Sequence, residues 1–443
     1  MLDNIPSTLS KITTSHFYIA YSGGLDSTVL LHLLAHSSLK NKLTALHINH
    51  QLSPNAQQWQ EHCQHVCEQL GVPLISEAVA VSGNDGVEAN ARKARYQVFE
   101  EVVKKGECLL TAHHQDDQVE TLLYRLFRGA GPEGLAAMPP QRALGQGILL
   151  RPLLRVTREE LELYAQEHKL SWIEDESNSN TDFDRNFIRH ELLPLIEKRW
   201  PGSGNCVARA ASLCREQAVL NQSMGTALTA KLGLRQEKLG SSIDGEVLEK
   251  LPPEQQSLVL RQWCRDQMGT VPEAKQLALV LPQVWQAFDD ARPCLKVGNS
   301  EIRRFQKRLF LIPILPIVDE KKSIGWQCGE SEQGTLLLPD GSQLTLPKST
   351  VFTDSFALSV NYQRSGIRCK PCGRSHSQKL KKLLQESNVP PWLRDRIPLI
   401  YLDDILVAVG DLWLTQQSLE QAPFLHCNND DHFSWVFPKA AQV

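Results

Sequence analysis

The stretch "IAYSGGLDSTVLLHLL", residues 19–34, passes from a β-branched and aromatic run through Ser-Gly-Gly into an apolar helical pattern without a break. Two adjacent glycines between a strand and a helix let the backbone take left-handed angles and turn successive N–H groups toward one point. An anion belongs at that point. The helix beginning near Leu25 adds its N-terminal partial positive charge and unpaired amides, and Ser22 and Ser27 add two hydroxyl donors beside Gly23 and Gly24. Asp26 is the odd residue. A carboxylate in a phosphate cradle repels its ligand unless a divalent cation stands between them, which points to Mg²⁺ carried with a nucleotide, ATP being the expected one. No Gly-Lys-Ser/Thr follows the glycines, so the turn is not a Walker loop.

Outward from this turn, strand-like and helix-like pieces alternate between Phe17 and about His114. They read "FYIAYS", a helix to Ser38, "LTALHINH", a helix after Pro54, "PLISEAVAV", a helix from Val87, and "ECLLTAHH". That alternation predicts an α/β fold with a doubly wound parallel sheet. Pro54 suits a first helical turn and Gly71 a helix end. Ligands of such sheets bind beyond the carboxyl ends of the strands, which gathers the Ser22 turn, the His47–His50 end and the His113 end at one crevice.

The chain has 443 residues and 42% hydrophobic content, enough for two or three domains. The expected divisions are 1–200, a catalytic α/β domain; 201–318, mainly helical and closing in strands; and 325–443, a small α+β domain. The last contains "TLLLPDGSQLTL", a Pro-Asp-Gly turn between two strand-like runs. The N-terminus shows no basic-then-apolar signal, and the longest apolar run, "LFLIPILPIV", is short and broken by proline. A cytoplasmic protein without a membrane partner is expected, with its eleven cysteines as reduced thiols. The net charge of -3 gives no sign of nucleic acid, so any basic surface must be local.

Three segments carry chemistry. "TAHHQDDQVETLLYRLFRGAG", residues 111–131, puts His113, Asp116, Asp117 and Glu120 at a strand end and the first helical turns, with Asp116 and Glu120 four apart on one face. Such acids hold Mg²⁺, take a proton from an amine, or simply complement the helix dipole; their alignment with the Asp26 crevice favours a site. Arg128 follows, before the glycine-rich "GAGPEGLAAM", which reads as a flexible substrate loop. "EANARKARY", residues 88–96, spaces Glu88, Arg92 and Arg95 on one helix side, suited to phosphate or a carboxylate. "WIEDESNSNTDFDRNFIRHELLP", residues 172–194, assembles Asp175, Asn178, Arg185, Asn186 and Arg189 around a polar loop and the next helix, fit for a base or an amino acid.

The SGGLDS turn resembles the signature of the N-type ATP pyrophosphatase (PP-loop) superfamily, whose fold is of the adenine nucleotide alpha hydrolase kind. Together with "HINHQL", "EANARKARY", "AHHQDDQVET", "RGAGPEGLAAM", "RPLL" and "DESNSNTDFDRNFIR", in that order over roughly residues 16–195, it is similar to the tRNA(Ile)-lysidine synthetases. The piece "KLKKLLQESNVPPWLRDRIPLIYLDDILVAVGDLW" is similar to that family's C-terminal tRNA-binding domain. The resemblance implies that ATP activates C2 of the wobble cytidine in an isoleucine tRNA with a CAU anticodon, and that the ε-amine of L-lysine then displaces AMP. In its terms Ser22, Gly23, Gly24, Leu25, Asp26 and Ser27 hold ATP, with Asp26 the metal ligand. Asp117 or Glu120 binds or deprotonates the lysine ammonium, and Arg189 or Arg128 stabilises the charge that builds as pyrophosphate leaves. Arg92, Arg95, His113, Asp116, Arg128, Arg185 and Asn186 face substrate.

One feature departs from the pattern. "CKPC", residues 369–372, raises the alternative of a PP-loop tRNA thiolating enzyme, although a single Cys-x-x-C lacks further ligands nearby except His376. A glutamine amidotransferase is disfavoured because residue 2 is Leu, and a non-catalytic tRNA-binding protein because the loop and its acids are intact. The oligomeric state is left open, a homodimer being one option. Finally, residues 361–398 carry nine basic side chains against two acidic ones, a local +7 in an acidic protein. Arg374, Lys379, Lys381, Lys382 and Arg394 in this stretch are the expected tRNA-phosphate contacts.

Overall fold

The computed structural model describes residues 2–51, 53–80, 86–176, 180–288, 291–328, 334–347, 350, 356–422 and 432–438, with only the backbone described for Val87 and Glu88. The chain forms two compact units, Met1–Leu220 and Asn221–Val443. Among the described residues no helix is long and apolar enough to cross a membrane.

In the first unit, helix α1 (Asn4–Leu9) precedes strand β1 (Phe17–Ala20), helix α2 (Leu25–Ala35), β2 (Leu43–Asn49), α3 (Ala56–Leu70), β3 (Leu74–Ala78), α4 (Val87–Val102) and β4 (Cys108–Leu110). Then come α5 (Gln115–Phe127), α6 (Pro132–Leu135), the hairpin of β5 (Gln141–Leu144) and β6 (Gly147–Leu150), α7 (Arg158–Glu167), α8 (Asp184–Phe187) and α9 (Leu193–Arg199). Helix α10 (Ser203–Lys231) leads out of this unit. The sheet order is β3-β2-β1-β4-β6-β5, parallel except for the edge strand β5. The doubly wound sheet expected from the alternation is present; the β5–β6 hairpin extends it, formed by "QRALGQGILL", whose period-two signal is weak beside the stronger runs.

Alternation along β1 explains the two layers. Phe17 and Ile19 point into a core with Val29, Leu30 and Leu34 of α2, Cys63 of α3 and Leu161 of α7. Tyr18 and Ala20 face the opposite side, where Phe99 of α4 and Val103 just after it pack on Leu46, Leu109 and Leu149. Gly71 ends α3 in a left-handed conformation at φ 62, as its position in the sequence suggests. A smaller cluster joins Val119, Leu122 and Leu123 of α5 to Ala137, Ile188 and Ala211, and so backs the acid-bearing helix with apolar contacts.

In the second unit, β7 (Arg235–Gln236), β8 (Ser241–Asp244), α11 (Gly245–Glu249), α12 (Pro253–Met268), α13 (Ala274–Ala278), β9 (Cys294–Val297), β10 (Ser300–Phe305) and β11 (Arg308–Pro313) build one antiparallel sheet, ordered β7-β8-β11-β10-β9. Its core seats Trp263 and Leu260 of α12 on Ile243, Ile302 and Leu309. The helices expected after residue 203 are there; β7, β8 and β9 are additions, too short to register as runs.

Beyond them lie β12 (Ile324–Cys328), β13 (Thr335–Leu337), β14 (Gln343–Thr345), β15 (Phe356–Asn361), β16 (Arg368–Cys369), β17 (Gln378–Lys379), α14 (Leu380–Glu386) and α15 (Pro391–Arg394). The described elements close with β18 (Leu399–Leu402), β19 (Ile405–Val409), β20 (Trp413–Leu414), α16 (Gln416–Gln421) and β21 (Ser434–Val436). They form sheets β12-β15-β18-β19-β20 and β13-β14-β21 and a ribbon β16-β17. The Pro-Asp-Gly turn joins β13 to β14 as anticipated, with Gly341 at φ 80.

Candidate active site

The Ser22 turn follows β1 directly. Gly23 has φ +84, and a Cβ there would lie 2.6 Å from Ile173 Cδ1 and 2.9 Å from Cys63 Sγ. Both conformation and space therefore demand glycine. Ile173 N–H donates to Gly23 O at 2.9 Å, and Thr28 Oγ1–H donates to Gly24 O at 3.0 Å, so the turn is tied to both flanks. Ser22 and Ser27 bring their hydroxyls within 3.1 Å of each other. Gly24 caps α2 with no side-chain partner, leaving the first amides of the helix directed into the turn. The geometry suits an anion, and the packing of Ile173 and Cys63 against Gly23 holds the turn in that shape.

Asp26 stands in the first turn of α2. Its Oδ1 accepts from Arg158 Nη1 at 2.8 Å and its Oδ2 lies 3.7 Å from His114 Nε2. Burial pushes the Asp26 carboxyl above the usual range, with His114 and Arg158 pulling back and Asp117 adding to the rise. Arg158 is the cation that stands against this carboxylate.

The acids of α5 occupy the neighbouring strand end. His114 caps the helix: its Nδ1 accepts from Asp116 N–H at 3.3 Å, while Asp117 Oδ2 accepts from His114 N–H at 2.9 Å. With Nδ1 accepting, Nε2 is the ring nitrogen that carries a hydrogen. That Nε2 faces Asp117 Oδ2 at 3.6 Å and Asp26 Oδ2 at 3.7 Å, so one buried histidine bridges turn and acids. Burial raises the Asp117 carboxyl, but His114, His113, the His114 amide and Arg189 outweigh it and hold the group below its ordinary value. Glu120, 3% exposed, receives Arg189 through two bonds, Nε to Oε1 at 2.6 Å and Nη2 to Oε2 at 3.0 Å. Burial still leaves its carboxyl raised. Arg189 Nη2 also touches Asp117 Oδ1 at 3.4 Å. Asp116 turns aside: its Oδ2 accepts from the Arg158 backbone N–H at 2.9 Å and caps α7.

Around these acids lies a field of arginines. His113, whose Nδ1 is 2.9 Å from Thr111 Oγ1, is lowered to about 4 by burial and by Arg151, Arg92 and Arg185, against the opposing pull of Asp117. Arg92 and Arg142 stand over the Tyr96 ring, at 4.8 and 4.7 Å from its centroid. Arg95 Nε donates to His50 Nε2 at 3.3 Å, which joins the β2 end to α4. Arg125 donates to the carbonyls of Gly134 and Ala137 at 2.9 Å each, so the glycine-rich segment is held to α5.

The structure thus brings together the Ser22–Ser27 turn, Asp26, Asp117, Glu120 and Arg189, with His113, Arg92 and Arg185 close enough to interact electrostatically. Arg128 is not among them. It caps the far end of α5, where Nη1 donates to Tyr124 OH at 2.5 Å and the guanidinium lies 5.1 Å from that ring's centroid. Asn186 donates to Asn180 O at 2.8 Å and orders the polar loop; Asn178 lies outside the described residues, as does the Glu88 side chain. Two residues escaped sequence reading: His114 and Arg158. Each had a signal, since His114 precedes Asp117 and Thr157 precedes Glu160 by capping-box spacing, which marks helix starts at the crevice.

Three family models match the chain. A PP-loop domain family matches residues 2–196, the TilS substrate binding domain matches 244–310, and the TilS substrate C-terminal domain matches 358–428. A tRNA(Ile)-lysidine synthase of Coxiella burnetii is 40% identical over 418 residues, covering 91% of either chain. The chain belongs to the tRNA(Ile)-lysidine synthase family. A second member, from Pectobacterium atrosepticum, is 42% identical over 421 residues, covering 92% of this chain and 93% of its own. A U34-tRNA thiolase, NcsA from Methanococcus maripaludis, superposes with a TM-score of 0.40 at 16% identity, covering 48% of this chain and 78% of that one. That likeness is too remote to sustain the thiolation alternative. Cys369, 6% exposed, packs in the core of the second unit, and Cys372 Sγ lies 3.2 Å from Thr415 O. Burial raises both thiols, away from thiolate chemistry.

The basic stretch of the second unit is less uniform than its charge count. Arg364 donates to Tyr362 O and Ile397 O at 2.5 Å each, and Arg396 to Pro316 O at 2.7 Å, so both serve the fold. Arg374 pairs with Glu386 at 2.6 Å, and Arg394 donates to Val389 O at 2.8 Å. Lys379, Lys381 and Lys382 are exposed, the last 3.9 Å from Glu386. Arg394 also lines a cleft of about 1130 Å³ with Arg292, Phe305 and Trp392.

Proposed function

We propose that this protein joins L-lysine to C2 of the wobble cytidine of an isoleucine tRNA with a CAU anticodon, consuming ATP and releasing AMP and pyrophosphate. It is then a ligase that forms a carbon–nitrogen bond, acting in the cytoplasm, with residues 1–200 catalytic and 201–318 and 325–443 engaging tRNA. The observation that carries this reading is the position of His114, whose Nε2 lies 3.7 Å from Asp26 Oδ2 of the turn and 3.6 Å from Asp117 Oδ2 of α5.

The roles follow from the contacts. The amides and hydroxyls of Ser22–Ser27 hold the phosphates that leave as pyrophosphate while the cytidine C2 oxygen attacks the α-phosphorus. Asp26 is the residue that would hold a Mg²⁺ brought with the nucleotide, because its part-exposed carboxylate stands in the turn itself. That ion would neutralise phosphate charge. Glu120 is committed to Arg189, and Asp117 is the carboxylate best kept ionised, so Asp117 receives the lysine ammonium. Once the ammonium has lost a proton, its nitrogen attacks the adenylated C2 and AMP departs. Arg92, Arg95, His113, Arg185 and Asn186 line the tRNA side.

The test is incubation with ATP, labelled lysine and tRNA. Label appearing in the isoleucine tRNA is expected, and Asp117→Ala should raise the lysine KM at least about tenfold with the ATP KM unchanged. No label in tRNA, with ATP still consumed, would overturn the lysine assignment.

A further inference from the structure

We propose that Arg158 is a ligand of the pyrophosphate leaving group, held against Asp26 until the anion takes its place. The inference rests on the nucleotide reading above and assigns a residue that the loop motif does not contain.

Three observations carry it. First, the Arg158 backbone is fixed: its N–H donates to Asp116 Oδ2 at 2.9 Å, and Gln115 N–H donates to Val156 O at 2.8 Å, so the start of α7 is tied to the start of α5. Second, the guanidinium is only partly committed. Nη1 meets Asp26 at 2.8 Å and Nε meets Glu162 Oε1 at 2.8 Å, while Nη2 has no protein partner among the described residues. Its side chain is 41% exposed and that of Asp26 28%, so this pair exchanges partners far more cheaply than Arg189 and the buried Glu120. Third, Asp26 belongs to the turn that forms the cradle, so a guanidinium on its carboxylate needs only to swing about a fixed backbone to reach an anion there. Glu162, one helical turn along α7, steadies the fork through either position. Arg189 is locked on the acids of α5 and Arg128 is stacked on Tyr124, whereas Arg158 already stands on the Asp26 carboxylate of the turn with Nη2 left for an anion.

The probe is inorganic pyrophosphate, titrated calorimetrically into the full-length protein with Mg²⁺ and again with EDTA. With Mg²⁺, Arg158→Gln should weaken pyrophosphate at least about tenfold and Arg158→Lys by less, because lysine keeps the charge and loses the fork. The lysine KM should not change, and the ATP KM should rise. Without metal, Asp26→Asn should tighten pyrophosphate about tenfold, since it removes a repelling carboxylate and releases Arg158. The double variant Asp26→Asn with Arg158→Gln should lose that gain. Thermal unfolding of each variant guards against a merely structural effect. Equal pyrophosphate affinity in the wild type and a folded Arg158→Gln would overturn the assignment while leaving the nucleotide reading intact. A wild type that binds neither ATP nor pyrophosphate would overturn both.

Discussion

Glu120 in the first unit is 3% exposed and grips Arg189 through both oxygens, whereas Lys379, Lys381 and Lys382 in the second stand in solvent with one distant acid between them. Both regions are dense in charge. In the first, Asp26, Asp117 and Glu120 each have defined partners, and Asp26 and Asp117 share His114. In the second, Arg364 and Arg396 are spent on backbone carbonyls and the lysines are left as a sparse field. The difference teaches that charges spaced at a strand end converge on shared partners, while a charge total along a segment does not separate fold from function.

The comparison breaks most sharply at Asp26. Asp26→Asn should lower ATP–pyrophosphate exchange by roughly 10²–10³-fold and leave tRNA affinity within about twofold, because in the proposed function the turn serves the nucleotide and not the tRNA. Exchange at the wild-type rate would remove Asp26 from the chemistry.

His113 gives the next effect, in stability. Its conjugate acid is lowered to about 4 from 6.5, so the unfolded chain binds more protons between those values. The stabilisation is present above pH 6.5 and is lost as the pH falls toward 4. His113→Gln should flatten the denaturation-versus-pH curve in that window by up to ~3 kcal/mol. An unchanged slope would mean that burial and the surrounding arginines do not hold this ring neutral.

Arg364→Ala should cost about 2 kcal/mol in a urea melt, since it strips donors from the carbonyls of Tyr362 and Ile397. Smallest in stability is the triple change of Lys379, Lys381 and Lys382 to Ala. It should leave the melt and ATP binding alone and reduce the log-affinity versus log-salt slope for tRNA by about 2 to 3. A wild-type slope would move the tRNA contact elsewhere, with the cleft beside Arg394 and Trp392 the next place to look.

The sequence by itself determined the parallel sheet, the phosphate turn and the acid-bearing helix. These are local: an alternation of periods sets the layers, Gly23 is required by its own φ, and Asp117 caps its own helix three residues back. The tertiary structure alone decided which charges meet. Arg158 lies 132 residues from Asp26 and Arg189 lies 69 from Glu120, and no periodicity links positions so far apart. Only the packing of α7 on α2 and of the segment after α8 on α5 sets those distances. The same holds for Arg364, whose composition matches a nucleic-acid contact and whose position makes it a clasp for two carbonyls. A side chain's type is written in the chain, but whether it is spent inside the fold or offered to a ligand depends on which distant backbone stands beside it.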